Sequence, residues 1–193
     1  MSPRAASEIR AELSALDRAL YGAVESTPTP YLDEGLRDLS RAANKSVLWL
    51  SVAGTLAALG GSRGRRAAAT GVASVAVTSL LVNVGVKMIA RRDRPARQPE
   101  SLDRHVPMPT STSFPSGHSA SAFAFAQGVS SVTPGMSIPL HMAAAAVAYS
   151  RVHTGVHYPG DVVAGSLIGI VTGGAVSRLA AARLAAPQPR EGA

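Results

Sequence analysis

A run of mainly apolar residues from 67 to 90 is the feature that most constrains the fold, and its first charged side chain is Lys87. An α-helix needs about 20 such residues to cross the hydrocarbon core of a bilayer, so this run is a candidate membrane span. Four further apolar runs cover residues 46–61, 116–133, 137–150 and 159–185. The pattern predicts an all-α fold, a multi-pass membrane helical bundle of about five spans. The short first and fourth runs leave a soluble helical protein as the alternative.

The composition agrees with a membrane bundle and indicates how its helices pack. Hydrophobic residues make up 46% of the chain and charged residues 16%, below the roughly 25% of an average soluble domain. Aromatic residues make up only 4%, so packing must depend on small and aliphatic side chains. Gly165, Gly169 and Gly173 recur at four-residue spacing, which predicts a face where two membrane helices approach closely. The absence of cysteine excludes disulfides and thiolate metal sites.

Residues 1–45 differ from the rest of the chain because they are polar and amphipathic. Ile9, Leu13, Leu16 and Leu20 recur at helical spacing, and a second leucine pattern follows a proline-containing break. We predict two amphipathic helices, which lie either on the membrane surface or on the core of the domain itself. The predicted organisation is an N-terminal amphipathic helical segment, a membrane-embedded domain and a disordered tail, over residues 1–45, 46–186 and 187–193.

The polar residues with the clearest chemistry lie between the last two apolar runs. Pro159 suits the first position of a helix, which places Asp161 in the first turn, where the helix dipole favours a carboxylate. His157 precedes Asp161 by four residues, so the carboxylate can bind one ring nitrogen and leave the other free as a nucleophile. Arg151 supplies a fork-shaped cation that suits two phosphate oxygens. This stretch predicts a phosphate site with a histidine nucleophile.

Two earlier segments complete a recognisable pattern. Lys87 and the Arg94-Pro95 pair have six residues between them, and a Pro-Ser-Gly-His sequence ends at His118. With the stretch from Ser150 to Asp161, they match Lys-x6-Arg-Pro, Pro-Ser-Gly-His and Ser-Arg-x5-His-x3-Asp at every motif position. The chain therefore resembles the type 2 phosphatidic acid phosphatase and vanadium haloperoxidase superfamily, in particular its bacterial membrane lipid phosphatases.

This resemblance implies a lipid phosphatase, a phosphoric monoester hydrolase that needs no metal or other cofactor. It implies that His157 attacks phosphorus to form a phosphohistidine, that Asp161 orients it, and that His118 protonates the departing oxygen and later activates water. The residues implied to bind the substrate phosphate are Lys87, Arg94, Ser116, Gly117 and Arg151. Cations and backbone N–H groups of this kind neutralise the charge that otherwise repels a nucleophile.

Several neighbouring residues have simpler interpretations. Ser116 has the alternative role of a helix cap. We interpret Arg91, Arg92 and Arg97 as cations at the membrane edge. His105 and His153 match no motif position and are interpreted as loop residues. His141 lies in an apolar run and is interpreted as an interior histidine with its hydrogen bonds satisfied.

The predicted partners are the lipid bilayer and a phosphorylated membrane lipid. The candidates are phosphatidate, phosphatidylglycerol phosphate, a polyprenyl phosphate or diphosphate, and a prenyl-phosphoryl sugar phosphate, because the motifs recognise only the phosphate. The net charge of +7 suits anionic headgroups. Nucleic acid is not a predicted partner, since the basic residues stand at span edges without interleaved aromatic residues. The sequence leaves the oligomeric state open, a homo-oligomer included.

The distribution of charge also predicts an orientation in the cell membrane. With five spans, the three motifs and the N-terminal segment share one side, which carries 13 of the 19 Lys and Arg residues. The positive-inside rule then predicts that the active site lies at the cytoplasmic face.

Two other functions are compatible with the motifs. A vanadate-dependent haloperoxidase-like enzyme is one, because vanadate mimics the phosphate transition state, although membrane spans argue against it. A non-catalytic phospholipid-binding membrane protein is the other, although the complete set of motif residues argues against it.

Overall fold

The computed structural model describes residues 2–97 and 103–185, which form seven main helices. They are α1 (Pro3–Ser26), α2 (Pro30–Ala42), α3 (Val47–Leu59), α4 (Gly61–Leu80), α5 (Gly117–Val132), α6 (Ser137–His153) and α7 (Pro159–Ala185). The two described ranges contain no β-strand, which confirms the all-α prediction. The predicted tail at 187–193 lies outside the described residues.

Helix α4 does not end at Leu80 but changes its geometry. It continues as a π-helical stretch, Leu81–Val86, and closes with one turn at Lys87–Ile89. π-Helical turns are rare and frequently mark functional sites. Here the stretch lies directly before Lys87, the first residue of the first motif.

Fewer helices are long and apolar enough to span a membrane than the sequence suggested. Among the described helices, Gly61–Val86 and Pro159–Ala185 are long and apolar enough to cross a bilayer. The segments Pro30–Ala42 and Asn44–Leu59 would form a third, broken span, bent by 66°. Helices α5 and α6 have 16 and 17 residues, short of the roughly 20 that a span requires. The multi-pass bundle is confirmed, whereas the count of about five is not.

Helix α5 lies at the centre of the bundle, in contact with α4, α6 and α7. The ring of Trp49 packs on that of Phe125 with centroids 5.3 Å apart. Most of the remaining core consists of small or β-branched side chains: Ala67, Ala68, Val75, Ala122, Ala126, Val129, Ala144 and Val147. Such side chains allow the helices to lie close together.

The predicted glycine face lies where α7 crosses α5. A Cβ atom on Gly165, Gly169 or Gly173 would come within 3 Å of a carbonyl oxygen of α5 or of its N-cap residue. The close-packing interpretation is therefore confirmed. The contact also joins the start of α5, which carries the second motif, to the first turns of α7, which carry the third.

The N-terminal helices combine features of both interpretations that the sequence left open. Asp17 and Tyr21 of α1 and Ser40 of α2 are buried against the bundle. Next to Asp17 on α1 lie the exposed apolar side chains Ile9, Leu13, Leu16 and Leu20, which are 47 to 61% exposed. An outward apolar stripe of this kind suits a membrane surface. The domain division at residue 45 stays a prediction.

Candidate active site

The three motifs meet at one end of the bundle. The Ser116 N–H donates to the Asp161 carbonyl at 2.9 Å, which joins the second motif to the third. The Arg94 guanidinium donates to the Val156 carbonyl at 2.6 Å, which joins the first motif to the third. Residues separated by more than 60 positions thus form one cluster.

His157 and Asp161 form the centre of this cluster. Both are buried, with 1% and 0% of their surface exposed. Nδ1 of His157 lies 3.6 Å from Oδ2 of Asp161, and Nε2 lies 3.4 Å from Nη1 of Arg94. The carboxylate therefore stands beside one ring nitrogen, while the other nitrogen faces the cations.

The environment keeps this imidazole neutral. Burial lowers the pKa of His157 to about 4, the charges of Arg94 and Arg151 act in the same direction, and the Asp161 carboxylate opposes them. At neutral pH the ring is therefore uncharged, with a proton on only one of its two nitrogens. A neutral imidazole with one nitrogen oriented by a carboxylate has a lone pair free on the other, as a nucleophile requires.

Arg94 and Arg151 lie close enough for their charges to act on His157. Lys87 is linked to Arg94 through the Ser111 hydroxyl. Arg151 is 1% exposed, and its Nη1 donates to the carbonyl and hydroxyl of Ser40 at 3.1 and 2.6 Å. Nε of Arg151 is buried without an acceptor in the described part of the chain, so it is available to a ligand oxygen. Arg94 is held by the Ser111 carbonyl at 3.0 Å, and Lys87 donates to the Ser111 hydroxyl at 3.2 Å.

His118 lies in a polar cavity at the edge of the cluster. Its Nε2 is 3.0 Å from Oδ1 of Asn44, and burial, together with the charges of Arg151, Lys87 and Arg94, lowers the pKa of its ring to about 3. The cavity has a volume of about 320 Å³. Its lining consists of Ala43, Lys45, Ser46, Ser79, Asn83, Lys87, Gly117, His118 and Ser121. His118 and Lys87 thus face a space large enough for part of a substrate.

Ser116 and Gly117 begin helix α5 beside these residues. The fully buried Ser116 hydroxyl accepts from the Ser119 N–H at 3.4 Å and from the Ser119 hydroxyl at 2.9 Å. It is therefore the N-cap of α5, and its contact with a phosphate stays a prediction. A Cβ on Gly117 would lie 3.8 Å from Nζ of Lys87, so the helix N-terminus is close to this cation.

Two site residues were missed by sequence reasoning. The Ser113 hydroxyl donates to Oδ2 of Asp161 and lies 3.5 Å from Nδ1 of His157. Ser40 holds Arg151 from helix α2, 111 positions away. Ser113 lies in an irregular loop and Ser40 on an amphipathic helix, so no motif or periodicity could have marked either of them.

Two arginines have other roles than predicted. Arg92 is not a membrane-edge anchor, because its Nη1 lies 2.8 Å from Oδ1 of Asp161. Arg97 donates to the carbonyls of Gly155 and Thr154 at 3.1 and 3.2 Å. The chain after α4 folds back over the α6–α7 junction, and buried carbonyls there require donors. Arg91 is exposed, as an edge cation would be.

His153 is not a loop residue. It is the buried last residue of α6, and its Nε2 lies 3.0 Å from Oδ1 of Asp33 on α2. It therefore binds the N-terminal segment to the bundle. His141 is half-buried on α6 with Nδ1 2.8 Å from the Ser137 carbonyl, which agrees with a satisfied interior histidine.

Comparison with known proteins agrees with this geometry. A family model described as the PAP2 superfamily matches residues 68–185. The decaprenylphosphoryl-5-phosphoribose phosphatase of Mycobacterium tuberculosis (strain CDC 1551 / Oshkosh) is 32% identical over 147 residues, which cover 76% of this chain and 80% of that protein. The protein of the same name from Mycolicibacterium smegmatis is 32% identical over 161 residues, covering 80% and 79%.

Two solved structures share the fold. The transmembrane PAP2 type phosphatidylglycerolphosphate phosphatase of Bacillus subtilis superposes with a TM-score of 0.70 at 22% identity, covering 89% of this chain and 87% of that one. LpxE of Aquifex aeolicus gives a TM-score of 0.65 at 26% identity, covering 83% and 93%. The family match spans more than half of the sequence and includes all three motifs. The chain therefore belongs to the PAP2 superfamily, as a membrane-embedded phosphoric monoester hydrolase of lipid phosphates.

Proposed function

We propose that this phosphatase removes the terminal phosphate of a prenyl-phosphoryl sugar phosphate, without a metal ion, through a phosphohistidine at His157. The observation that carries the mechanism is the buried, neutral His157 imidazole, with Asp161 beside Nδ1 and cations beside Nε2. The substrate class is supported by the cavity beside His118 and by the names of the curated relatives.

The first half-reaction transfers the phosphoryl group to the enzyme. Lys87, Arg94 and Arg151 bind the phosphate oxygens and neutralise their charge. Nε2 of His157 forms a bond to phosphorus as the bond from phosphorus to the sugar oxygen breaks. Nδ1 keeps its proton, and the Asp161 carboxylate stabilises the positive charge that develops on the ring. The leaving oxygen takes a proton from His118, which becomes protonated when the bound phosphate dianion offsets the cations around it.

The second half-reaction restores the enzyme. Neutral His118 accepts a proton from a water molecule, whose oxygen bonds to phosphorus as the bond to Nε2 breaks. Inorganic phosphate leaves, and His157 returns to its neutral form. The same three cations hold the phosphoryl oxygens through both steps, so the site requires no rearrangement between them.

The cavity next to His118 supports a polar leaving group. Because His118 protonates the departing oxygen, the alcohol part of the substrate must lie on its side of the phosphate. Ser46 and Asn83 provide hydrogen-bonding groups there, and Lys45 provides a cation. A sugar suits the hydroxyl and amide groups, and the anionic diester that links it to a prenyl chain suits Lys45. A diacylglycerol offers neither feature.

Phosphate release by the detergent-purified protein in EDTA tests this assignment. The substrates are a prenyl-phosphoryl pentose phosphate, phosphatidate, phosphatidylglycerol phosphate, a prenyl phosphate and a prenyl diphosphate. We expect the highest kcat/KM on the pentose phosphate. Equal or faster release from phosphatidate would contradict the substrate class, and loss of activity in EDTA would contradict the metal-independent mechanism.

The same preparation distinguishes the two alternative functions. A haloperoxidase would oxidise halide when vanadate and peroxide are added, which we do not expect here. A binding protein would release no phosphate from any of the five lipids while remaining folded.

Lys45→Ala is expected to lower kcat/KM on the prenyl-phosphoryl pentose phosphate by about 10-fold, the loss of one charge-assisted contact. The same variant should change kcat/KM on a prenyl monophosphate by less than about 2-fold, because that substrate has no second phosphate for the Lys45 ammonium to bind. The control is Arg65→Ala, an exposed cation near the start of α4, at the end of that helix away from Lys87. Equal losses on both substrates would contradict the placement of the diester at Lys45.

We propose that the active site faces the cytoplasm, since the N-terminal helices contact the motif end of the bundle through Asp17 and Ser40, and residues 1–45 and 87–151 together carry 13 of the 19 Lys and Arg residues. The absence of cysteine allows a direct test with single cysteines at exposed positions. Ser62 lies at the start of α4 and Thr110 in the loop beyond its other end. In intact cells, a membrane-impermeant maleimide is expected to label Ser62→Cys and to label Thr110→Cys only after lysis. The opposite pattern would place the site outside.

A further inference from the structure

We propose that Asp17 of α1 and Arg92 form a positioning relay that holds the Asp161 carboxylate against His157, so that the N-terminal helix is part of the active-site structure. Neither residue belongs to a motif position. The inference rests on the proposed role of His157 as nucleophile.

One nitrogen of Arg92 joins two carboxylates. Nη1 lies 2.6 Å from Oδ2 of Asp17 and 2.8 Å from Oδ1 of Asp161. Asp17 is 7% exposed and Asp161 is fully buried. The Arg92 side chain is 26% exposed, so water screens these charge-assisted contacts less than it screens a fully exposed ion pair. The position of Asp161 therefore depends on a residue of α1, 144 positions away in the sequence.

The second oxygen of Asp17 binds the same turn of α7. Oδ1 accepts a hydrogen bond from the Gly160 N–H at 2.7 Å. This N–H belongs to the first turn of a helix, where backbone donors have no intrahelical partner. A Cβ on Gly160 would lie 2.8 Å from Oδ2 of Asp17, so glycine permits the close approach. Asp17 thus contacts both Arg92 and the residue next to Asp161.

Aromatic contacts fix the guanidinium of Arg92 from a further side. Its central carbon lies 4.2 Å from the centre of the Tyr158 ring, within the range of a cation–π interaction. The Tyr158 ring packs edge-on against Tyr21 of α1, with centroids 5.7 Å apart. The Tyr158 N–H donates to Oδ2 of Asp161 at 2.9 Å. Helix α1 thus supports both Arg92 and the ring on which Arg92 rests.

The relay gives Asp161 the orientation that the chemistry needs. Oδ2 of Asp161 is shared by Ser113, the Tyr158 N–H and His157, whose Nδ1 is 3.6 Å away. Arg92 is the charged partner of the other oxygen, Oδ1, so it fixes the rotation of the carboxylate. Without Arg92, a buried carboxylate oxygen would lose its cation, and the group would turn or become protonated. Either change weakens the support of Nδ1 when His157 becomes positively charged.

Burial alone would lower the pKa of Arg92, but the hydrogen bonds and charges of Asp17 and Asp161 outweigh it and raise the pKa. Arg92 is therefore charged at every pH at which the enzyme works. The charges of Asp17 and Arg92 cancel, so this pair adds no net charge next to His157. We therefore expect the relay to act through geometry and to affect kcat more than substrate affinity.

Steady-state kinetics of four variants test the relay: Arg92→Gln, Arg92→Lys, Asp17→Asn and the double variant Asp17→Asn/Arg92→Gln. The control is Arg18→Gln, which changes an exposed residue of α1. We expect Arg92→Gln to lower kcat by about 30-fold and Asp17→Asn by about 10-fold, with KM within about 3-fold. Arg92→Lys should recover part of kcat, because it restores the cation but not the bridging, stacked guanidinium. Adding Asp17→Asn to Arg92→Gln should cost less than about 3-fold, since the chain is already broken.

The affinity of the same variants for orthovanadate provides a readout that does not depend on turnover. Vanadate bonded to Nε2 also places positive charge on the His157 ring, so Arg92→Gln should bind it about 10-fold more weakly and Arg18→Gln equally well. If wild type releases no phosphate but binds vanadate, the proposed function is wrong and vanadate affinity decides the relay. If wild type neither turns over nor binds vanadate, both proposals are overturned.

Three results would overturn the relay alone. They are an unchanged kcat in folded Arg92→Gln, losses in kcat that multiply in the double variant, and a loss in Arg92→Gln that appears in KM and not in kcat. If Arg92→Gln does not fold, the isosteric Asp17→Asn is the test: a lower kcat with KM nearly unchanged supports the relay, and an unchanged kcat overturns it.

Discussion

His157→Ala is expected to lower kcat for phosphate release by about 10³-fold or more, because it removes the nucleophile and not merely an orienting contact. The remaining cations still bind the phosphate, so KM should change far less than kcat. Phosphate release at saturating lipid measures both. The expected effect exceeds that of every other substitution considered for this site.

His141→Gln is the matched control, since His141 lies on α6 with a local hydrogen bond to Ser137 and an edge contact to Phe123. It should keep wild-type kcat. A second comparison, His118→Ala, should slow release less than His157→Ala on a substrate with an activated leaving group, because that leaving group needs no proton. Retention of activity in folded His157→Ala would remove His157 from the nucleophile role.

Gly169→Ala is expected to destabilise the fold by about 2 to 3 kcal/mol, although alanine is normally the better helix former. A Cβ there would come within 3 Å of the Ala120 carbonyl and the Ala124 N–H of α5. Because these atoms are backbone, the two helices must move apart. The shift would also displace the start of α5, so we expect lower activity in the remaining folded protein.

Gly174→Ala makes the same substitution five residues further along the same helix. A Cβ on Gly174 would have no described atom within 4 Å. This variant should be neutral or more stable by up to about 1 kcal/mol, following intrinsic helix preference alone. Denaturant unfolding in detergent should therefore give a lower free energy of unfolding for Gly169→Ala and an equal or higher one for Gly174→Ala. Similar effects of the two substitutions would contradict the close contact between α5 and α7.

The sequence was most informative where function depends on local spacing. His157 and Asp161 are four residues apart across a helix start, and Gly165 to Gly173 repeat along one helix face, so both features are visible in a short window. The three motifs also indicated the composite site, because each is specific even though they are far apart. The structure brings the motif residues together and confirms the glycine face, whereas the roles of the site residues stay predictions.

Contacts between distant segments were not predictable from such patterns. Arg92 stands among other arginines next to an apolar run, which indicates a membrane-edge cation unless Asp17 is known to approach it. Ser113 and Ser40 likewise acquire their roles only after the loop before α5 and helix α2 pack on the α6–α7 junction. Hydropathy also suggested more spans than length supports, because α5 and α6 are apolar but short.

The most direct test of the mechanism is to trap the phosphorylated enzyme during turnover. The protein is mixed with lipid substrate carrying a radiolabelled terminal phosphate and stopped within milliseconds to seconds in alkaline detergent, which preserves phosphohistidine. We expect label on the peptide that contains His157, stable in base, lost in acid and absent from His157→Ala. Turnover with no label on the protein at any time, or label on a different residue, would contradict nucleophilic attack by His157.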